Sequence, residues 1–147
     1  MLELRATAFD VVIVHAGAHA CDAVAAIASG LRVAPDEVML IGQPGAALEL
    51  AARIAGVVDA HAVVLDETDG WATWSLRGED ARLAFSYLSP LELPEEGFVQ
   101  GEVAHLPAKV LVRGDAVHIL VPSMLSHELR HRLLDRCGHL APVEASS

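Results

Sequence analysis

The sequence predicts a sandwich of the α+β or α/β class, with helices packed on a mixed or antiparallel sheet, and three observations predict it. Residues 9–15 (FDVVIVH) form a near-continuous β-branched apolar run of strand length, the pattern of a strand covered on both faces. Apolar residues at helical spacing recur between such runs, as in Ala81, Ala84, Phe85 and Leu88. The stretch 63–78 ends an apolar run in an acidic turn. It then alternates, with Ala72, Trp74 and Leu76 on one face and Trp71, Thr73 and Ser75 on the other. Two strands meet there, so the stretch reads as a seam, near residues 66–70, between two halves of one domain.

Taken in order, the first strand is followed by a helix over residues 21–31, on which Val24, Ile27, Ala28 and Leu31 share a face and which Gly30 helps to end. Ala34, Pro35 and Asp36 make a turn into a second strand, 37–41, bounded by Gly42, Pro44 and Gly45. A second helix is expected from 46 to 57, with Leu48, Ala51, Ala52 and Ala55 inward. After the strands 62–65 and 70–76 comes a third helix, 79–88, favoured at its start by Glu79 and Asp80 and stopped by Pro90. Residues 91–98 read as an exposed acidic connection. Residues 99–112 and 116–121 read as a hairpin about Arg113, Gly114 and Asp115, with Pro107 marking a bulge or an edge. Ser123 is a candidate N-cap for a fourth helix running to about Gly138. The expected organisation is one domain, 1–139, and a disordered tail, 140–147.

A chain of 147 residues is long enough to bury a core without disulfides or metal. Cys21 and Cys137 stand far apart, which gives neither a disulfide framework nor a CxxC site. No apolar run approaches the roughly 18 residues of a membrane span, and the first ten residues lack the features of a signal peptide, so a cytoplasmic protein is expected. With 20 acidic against 10 basic residues the net charge is −10, which opposes binding to nucleic acid or anionic membrane.

The sharpest local motif is His127, Glu128 and His131, which fits the HExxH pattern of zinc proteases. On a helix, however, Leu125, Leu129, Leu133 and Cys137 occupy the apolar arc, so both histidines face water. The extended zinc pattern also fails, because Leu134 and Cys137 stand at its glycine and third-histidine positions. The trio is therefore rejected as a zinc site. Asp66, Glu67 and Asp69 could bind a hard cation or supply an acid and a base, but they lack the further oxygen ligands of a calcium loop and read as a solvated turn; Asp66 is the exception to watch, because it ends a buried strand and is placed to cap the turn. Gly42, Gln43, Pro44 and Gly45 precede a helix as phosphate loops do, but match no such motif, and read as an ordinary strand-to-helix turn. Trp71 and Trp74 point to opposite faces of one strand. One is expected in the core and the other exposed, as a possible interface residue. No catalytic, cofactor-binding or metal residue is assigned.

Three pieces then invite comparison: APDEVMLI at 34–41, VLDETDGWA at 64–72 and LRGEDA at 76–81, followed by LSPLEL at 88–93, residues 98–101 and the hairpin leading into Val121, Pro122 and Ser123. In that order they resemble the gamma subunit of heterotetrameric sarcosine oxidase, over nearly the whole chain. The resemblance implies an α+β fold of two ferredoxin-like halves, similar to the first part of the glycine-cleavage T-protein and its YgfZ relatives. It implies a non-catalytic subunit that stabilises an oxidase of sarcosine or a related secondary amine by packing on larger flavoprotein alpha and beta subunits, with a small delta subunit. FAD, FMN, NAD, zinc and tetrahydrofolate would then belong to those partners, and none to this chain. The competing readings are a stand-alone folate- or small-ligand-binding module of the T-protein type and an HExxH zinc hydrolase.

Overall fold

The computed structural model describes residues 1–28 and 30–145, the side chain of Ala28 excepted. It contains two β-sheets and four α-helices, and the chain divides into two compact units: Phe9–Asp69, and Met1–Ala8 with Gly70–Ser147.

After β1 (Glu3–Thr7), which belongs to the other unit, the Phe9–Asp69 unit runs β2 (Asp10–His15), α1 (Ala18–Ala28), β3 (Leu31–Ala34), β4 (Glu37–Gly42), α2 (Ala47–Ile54) and β5 (Val63–Asp66). Its sheet order is β3-β4-β2-β5 with every pairing antiparallel, the ferredoxin-like βαββαβ arrangement. Val12, Val14, Val38 and Leu40 pack with Cys21 and Val24 of α1 and Leu50 and Ile54 of α2. Val11, Ile13 and Met39, on the other face, are buried as well, so β2 is covered on both sides as its composition predicts.

Four expectations change in this unit. The first helix stops at Ala28, and Leu31 opens a strand instead of closing the helix; Ser29 lies outside the described residues. Ile27 is exposed, because Cys21 and Val24 supply the inward face. In α2 the inward residues are Leu50 and Ile54, while Leu48 is 83 % exposed. Of its three larger aliphatic residues, Leu50 and Ile54 stand four apart on one face and set the buried stripe, while Leu48 falls outside it. The strand ending in Asp66 is an exposed edge, not a buried strand.

The second unit comprises β1 (Glu3–Thr7), β6 (Trp71–Arg77), α3 (Ala81–Ser86), β7 (Gly97–Val103), β8 (Leu106–Arg113), β9 (Ala116–Pro122), α4 (Ser126–Cys137) and β10 (Val143–Ala145). Its sheet order is β10-β1-β6-β9-β8-β7, with only the β1–β10 pair parallel. The strands β1, β6, β9 and β8 repeat the ferredoxin-like order, but the strand beside β6 comes from the start of the chain. Ala81, Ala84, Phe85 and Leu88 bury together with Leu129, Leu133 and Cys137 over Leu4, Leu76, Val117 and Ile119, as the helical spacing predicts. Gly78, at φ +107°, lets the chain pass Met1: an added Cβ would stand 2.4 Å from the Met1 carbonyl oxygen, so no side chain fits there.

The expected single strand 99–112 is two strands, β7 and β8, joined at Ala104 and His105, both in the left-handed region at φ 51° and 65°. Neither is the glycine or asparagine that normally signals such a turn. It is held instead by the Ala104 amide donating to the Leu88 carbonyl at 2.6 Å. Pro107 causes no bulge; it sits opposite Glu102 where β9 does not reach β8, so its missing N–H costs no ladder bond on that side. Ser123 begins a 3₁₀ turn and is not a cap. The expected tail is ordered as far as Ala145: residues 143–145 pair with β1, and Arg130 binds Glu144 through Nε and Nη2 at 2.6 and 2.8 Å. Ser146 and Ser147 lie outside the described residues.

Candidate functional site

The chemistry-bearing residues singled out by the sequence do not converge. His127 and His131 are exposed on α4, and Glu128 accepts a hydrogen bond from Arg132 Nε at 2.7 Å, an i, i+4 pair that occupies the carboxylate. Among the described residues no group of three or more His, Cys, Asp or Glu side chains is placed to hold a metal ion. His127→Ala is expected to shift unfolding free energy by less than about 0.5 kcal/mol, as exposed positions do. Thermal unfolding with and without a zinc chelator, in both proteins, checks this; a melting temperature that falls with the chelator only when His127 is present contradicts it.

The loop before α2 offers its amides to an anion, and the protein supplies that anion itself. Asp10 Oδ2 accepts from the amides of Gly45 at 3.0 Å and Ala47 at 2.9 Å, so the carboxylate sits where a phosphate would. Asp66 is likewise committed: its Oδ1 accepts from the Thr68 hydroxyl at 2.7 Å and amide at 3.1 Å, and these bonds hold its carboxyl below the ordinary pKa. The Thr68 hydroxyl in turn accepts from the Val11 amide at 3.0 Å. The acidic turn is thus tied to β2 by its own polar groups.

Sequence reasoning missed one polar network. Thr7 Oγ1 lies 2.7 Å from Ser75 Oγ, which lies 2.6 Å from His118 Nδ1, three adjacent strands contributing one group each. Burial pushes the His118 imidazole down to a pKa of about 4, helped by the charges of Arg77 and then Arg113. A neutral histidine beside a serine hydroxyl has the composition of an activated nucleophile, but Ser75 is 0 % exposed and no substrate atom can reach it. The network satisfies buried polar groups. Only the strand register reveals it, since the three residues lie 68 and 43 positions apart in the chain.

Two of the clefts in the unit of Met1–Ala8 and Gly70–Ser147 are lined in part by polar side chains. One, of about 550 Å³, is bordered by Tyr87, Ser89, Glu102, His105 and Arg136. Its Ser89 hydroxyl is engaged, donating to the Glu102 carbonyl at 2.7 Å and accepting from the Leu91 amide at 3.1 Å. The other, of about 200 Å³, is walled by Trp74, Ser126 and small residues of β1 and β6. Trp71 and Trp74 are both half-buried, so neither is the exposed partner of a core tryptophan. Trp74 packs on the core and donates its Nε1–H to Ser126 Oγ at 3.2 Å, which fixes the start of α4.

Apolar side chains also remain exposed. Val63, Val64 and Leu65 of β5 are 48, 37 and 42 % exposed, and Leu48, Tyr87 and Met124 are exposed elsewhere. No described helix is long and apolar enough to cross a membrane.

No protein-family profile and no curated protein matches the sequence. Solved structures do match. A chain of the heterotetrameric sarcosine oxidase from Corynebacterium sp. U-96, in complex with pyrrole 2-carboxylate, is similar with a TM-score of 0.80 and 19 % identity, over 98 % of this chain and 87 % of that one. The glycine cleavage system aminomethyltransferase T from Bartonella henselae is similar with a TM-score of 0.69 and 15 % identity, over 98 % of this chain. The chain spans 47 % of that protein's length. At these identities the likeness is one of fold: this is an α+β chain of the T-protein-like type.

Proposed function

We propose that the chain is a non-catalytic, gamma-type subunit of a heteromeric flavin-dependent oxidase acting on sarcosine or a related secondary amine. It works in the cytoplasm by packing against larger alpha and beta flavoprotein subunits, with a small delta subunit completing the assembly. FAD, FMN, NAD, zinc and tetrahydrofolate belong to those partners in this reading. The observation that carries it is the near end-to-end fold match to one chain of a heterotetrameric sarcosine oxidase. Aliphatic side chains left in water on β5, in a chain of mean hydropathy +0.41, support the same reading, because surface of this kind is covered in assemblies.

Co-production with the flavoprotein subunits tests the proposal. Native mass spectrometry is expected to find this chain in a stoichiometric complex, and omission of the chain to reduce the yield or thermal stability of the flavoproteins. A monomer that turns over a substrate alone, or that leaves the flavoproteins unaffected, overturns it. Binding of tetrahydrofolate to the isolated chain would favour the T-protein-type module instead.

A further inference from the structure

The edges of the two sheets are not treated alike. On β3 a register shift lies between Arg32 and Ala34, and the Arg32 guanidinium lies across the region, donating to the carbonyls of Pro35 at 2.6 Å and Ala18 at 3.1 Å. The β7 edge carries exposed Gln100 and Glu102 with two glycines, and β10 is three residues long with Glu144 bound to Arg130. Bulges, charges and short length are the ordinary means by which an edge is kept from pairing with another chain.

β5 has no bulge, and its single charged residue, Asp66, stands at its end. Its register against β2 is unbroken from Val63 to Asp66, and three of its four residues are aliphatic and exposed. The Glu67 amide donates to the Val11 carbonyl at 2.8 Å, which identifies that pair as hydrogen-bonded. In an antiparallel ladder such pairs alternate. The register therefore turns the N–H and C=O groups of Leu65 and Val63 toward β2, and those of Val64 and Asp66 outward. Among the described residues nothing pairs with those outward groups.

Charge selects the occupant. No lysine or arginine occurs between Arg53 and Arg77, while Asp66 ends the strand and Asp59, Glu67 and Asp69 flank it. A second copy of this chain, itself at −10, would bring the same acids against these and is disfavoured.

The geometry points to β5 as a docking edge for one extended aliphatic strand bearing lysine or arginine at its ends, donated by a larger partner subunit. The identity of that donor rests on the subunit reading above. The strand adds to the sheet through the outward backbone groups of Val64 and Asp66, its apolar side chains cover Val63, Val64 and Leu65, and its basic ends meet the flanking carboxylates.

The probe is a synthetic eight-residue peptide of alternating valine and threonine with two lysines at each end, added to the full chain and followed by NMR amide exchange. Exchange at Val64 and Asp66 is expected to slow at least tenfold at saturation, with little change at Val63 and Leu65. A glutamate-ended peptide is expected to bind at least tenfold more weakly. Val64→Pro removes an outward N–H without touching the β2 ladder and is expected to abolish binding; Leu65→Lys, which repels the basic ends, serves if the proline variant does not fold. Unchanged exchange at Val64 and Asp66, equal binding of the two peptides, or a wild-type dimer that Val64→Pro dissolves overturns the inference.

In the co-produced complex the same amides separate the two claims. A complex that forms with Val64 and Asp66 unprotected overturns the edge and leaves the subunit reading standing. Peptide protection without any complex supports the edge and overturns the subunit reading.

Discussion

Phe85→Ala lowers the free energy of unfolding by about 3–5 kcal/mol, the range for removing a buried aromatic side chain whose surroundings only partly collapse. Phe85 is 1 % exposed and stands where α3 meets the core shared with α4, alongside Leu88, Leu129 and Leu133. Cys137 packs into the same core, its thiol donating to the Ala84 carbonyl at 3.5 Å, and burial pushes that thiol's pKa up. Urea unfolding of the wild type and the variant measures the loss. Leu83→Ala, on the exposed side of α3, is the control and is expected to cost much less. A loss below about 1 kcal/mol for Phe85→Ala would mean that this helix contributes little to the core.

The second large effect is on pH. His118 has an ordinary pKa of 6.5 in the unfolded chain and one of about 4 in the folded chain, because burial disfavours its charged form. Between those values the unfolded chain binds more protons, so stability rises with pH across that window. The contribution is fully present above pH 6.5 and is lost as pH falls through about 4; about 2.5 pKa units correspond to roughly 3 kcal/mol. His118→Gln keeps a polar partner for Ser75 but cannot titrate. The difference in unfolding free energy between wild type and variant, followed from pH 7 to pH 4, is therefore expected to change by about that amount in favour of the variant. A constant difference across the window would show that His118 does not stay neutral in the folded chain.

These two residues also mark the limits of reading the chain unaided. Phe85 announces itself: Ala81, Ala84 and Leu88 flank it at helical spacing, and the same holds for Leu129, Leu133 and Cys137, because each stripe is written within a dozen neighbouring residues. His118 gives no such sign. Its environment depends on Ser75 and Thr7, which only the pairing of three strands brings to its side. The exposure of His127, Glu128 and His131 likewise follows from local pattern, since the apolar arc of α4 leaves them outside. The inward face of α2 differs from the one its pattern predicts, because alanine fits both the buried and the exposed side of a helix and only packing separates Leu50 from Leu48.

Local periodicity determined the strand-and-helix alternation, the central turn at Asp66 to Gly70 and the inward faces of α3 and α4, since these depend on contacts between near neighbours. Pairing over long separations decided the rest: β1 beside β6, β10 beside β1, the half-burial of both tryptophans, and the open outer edge of β5. An edge is defined by a neighbour that is missing, and the residues of β5 read the same whether a strand lies beside them or not.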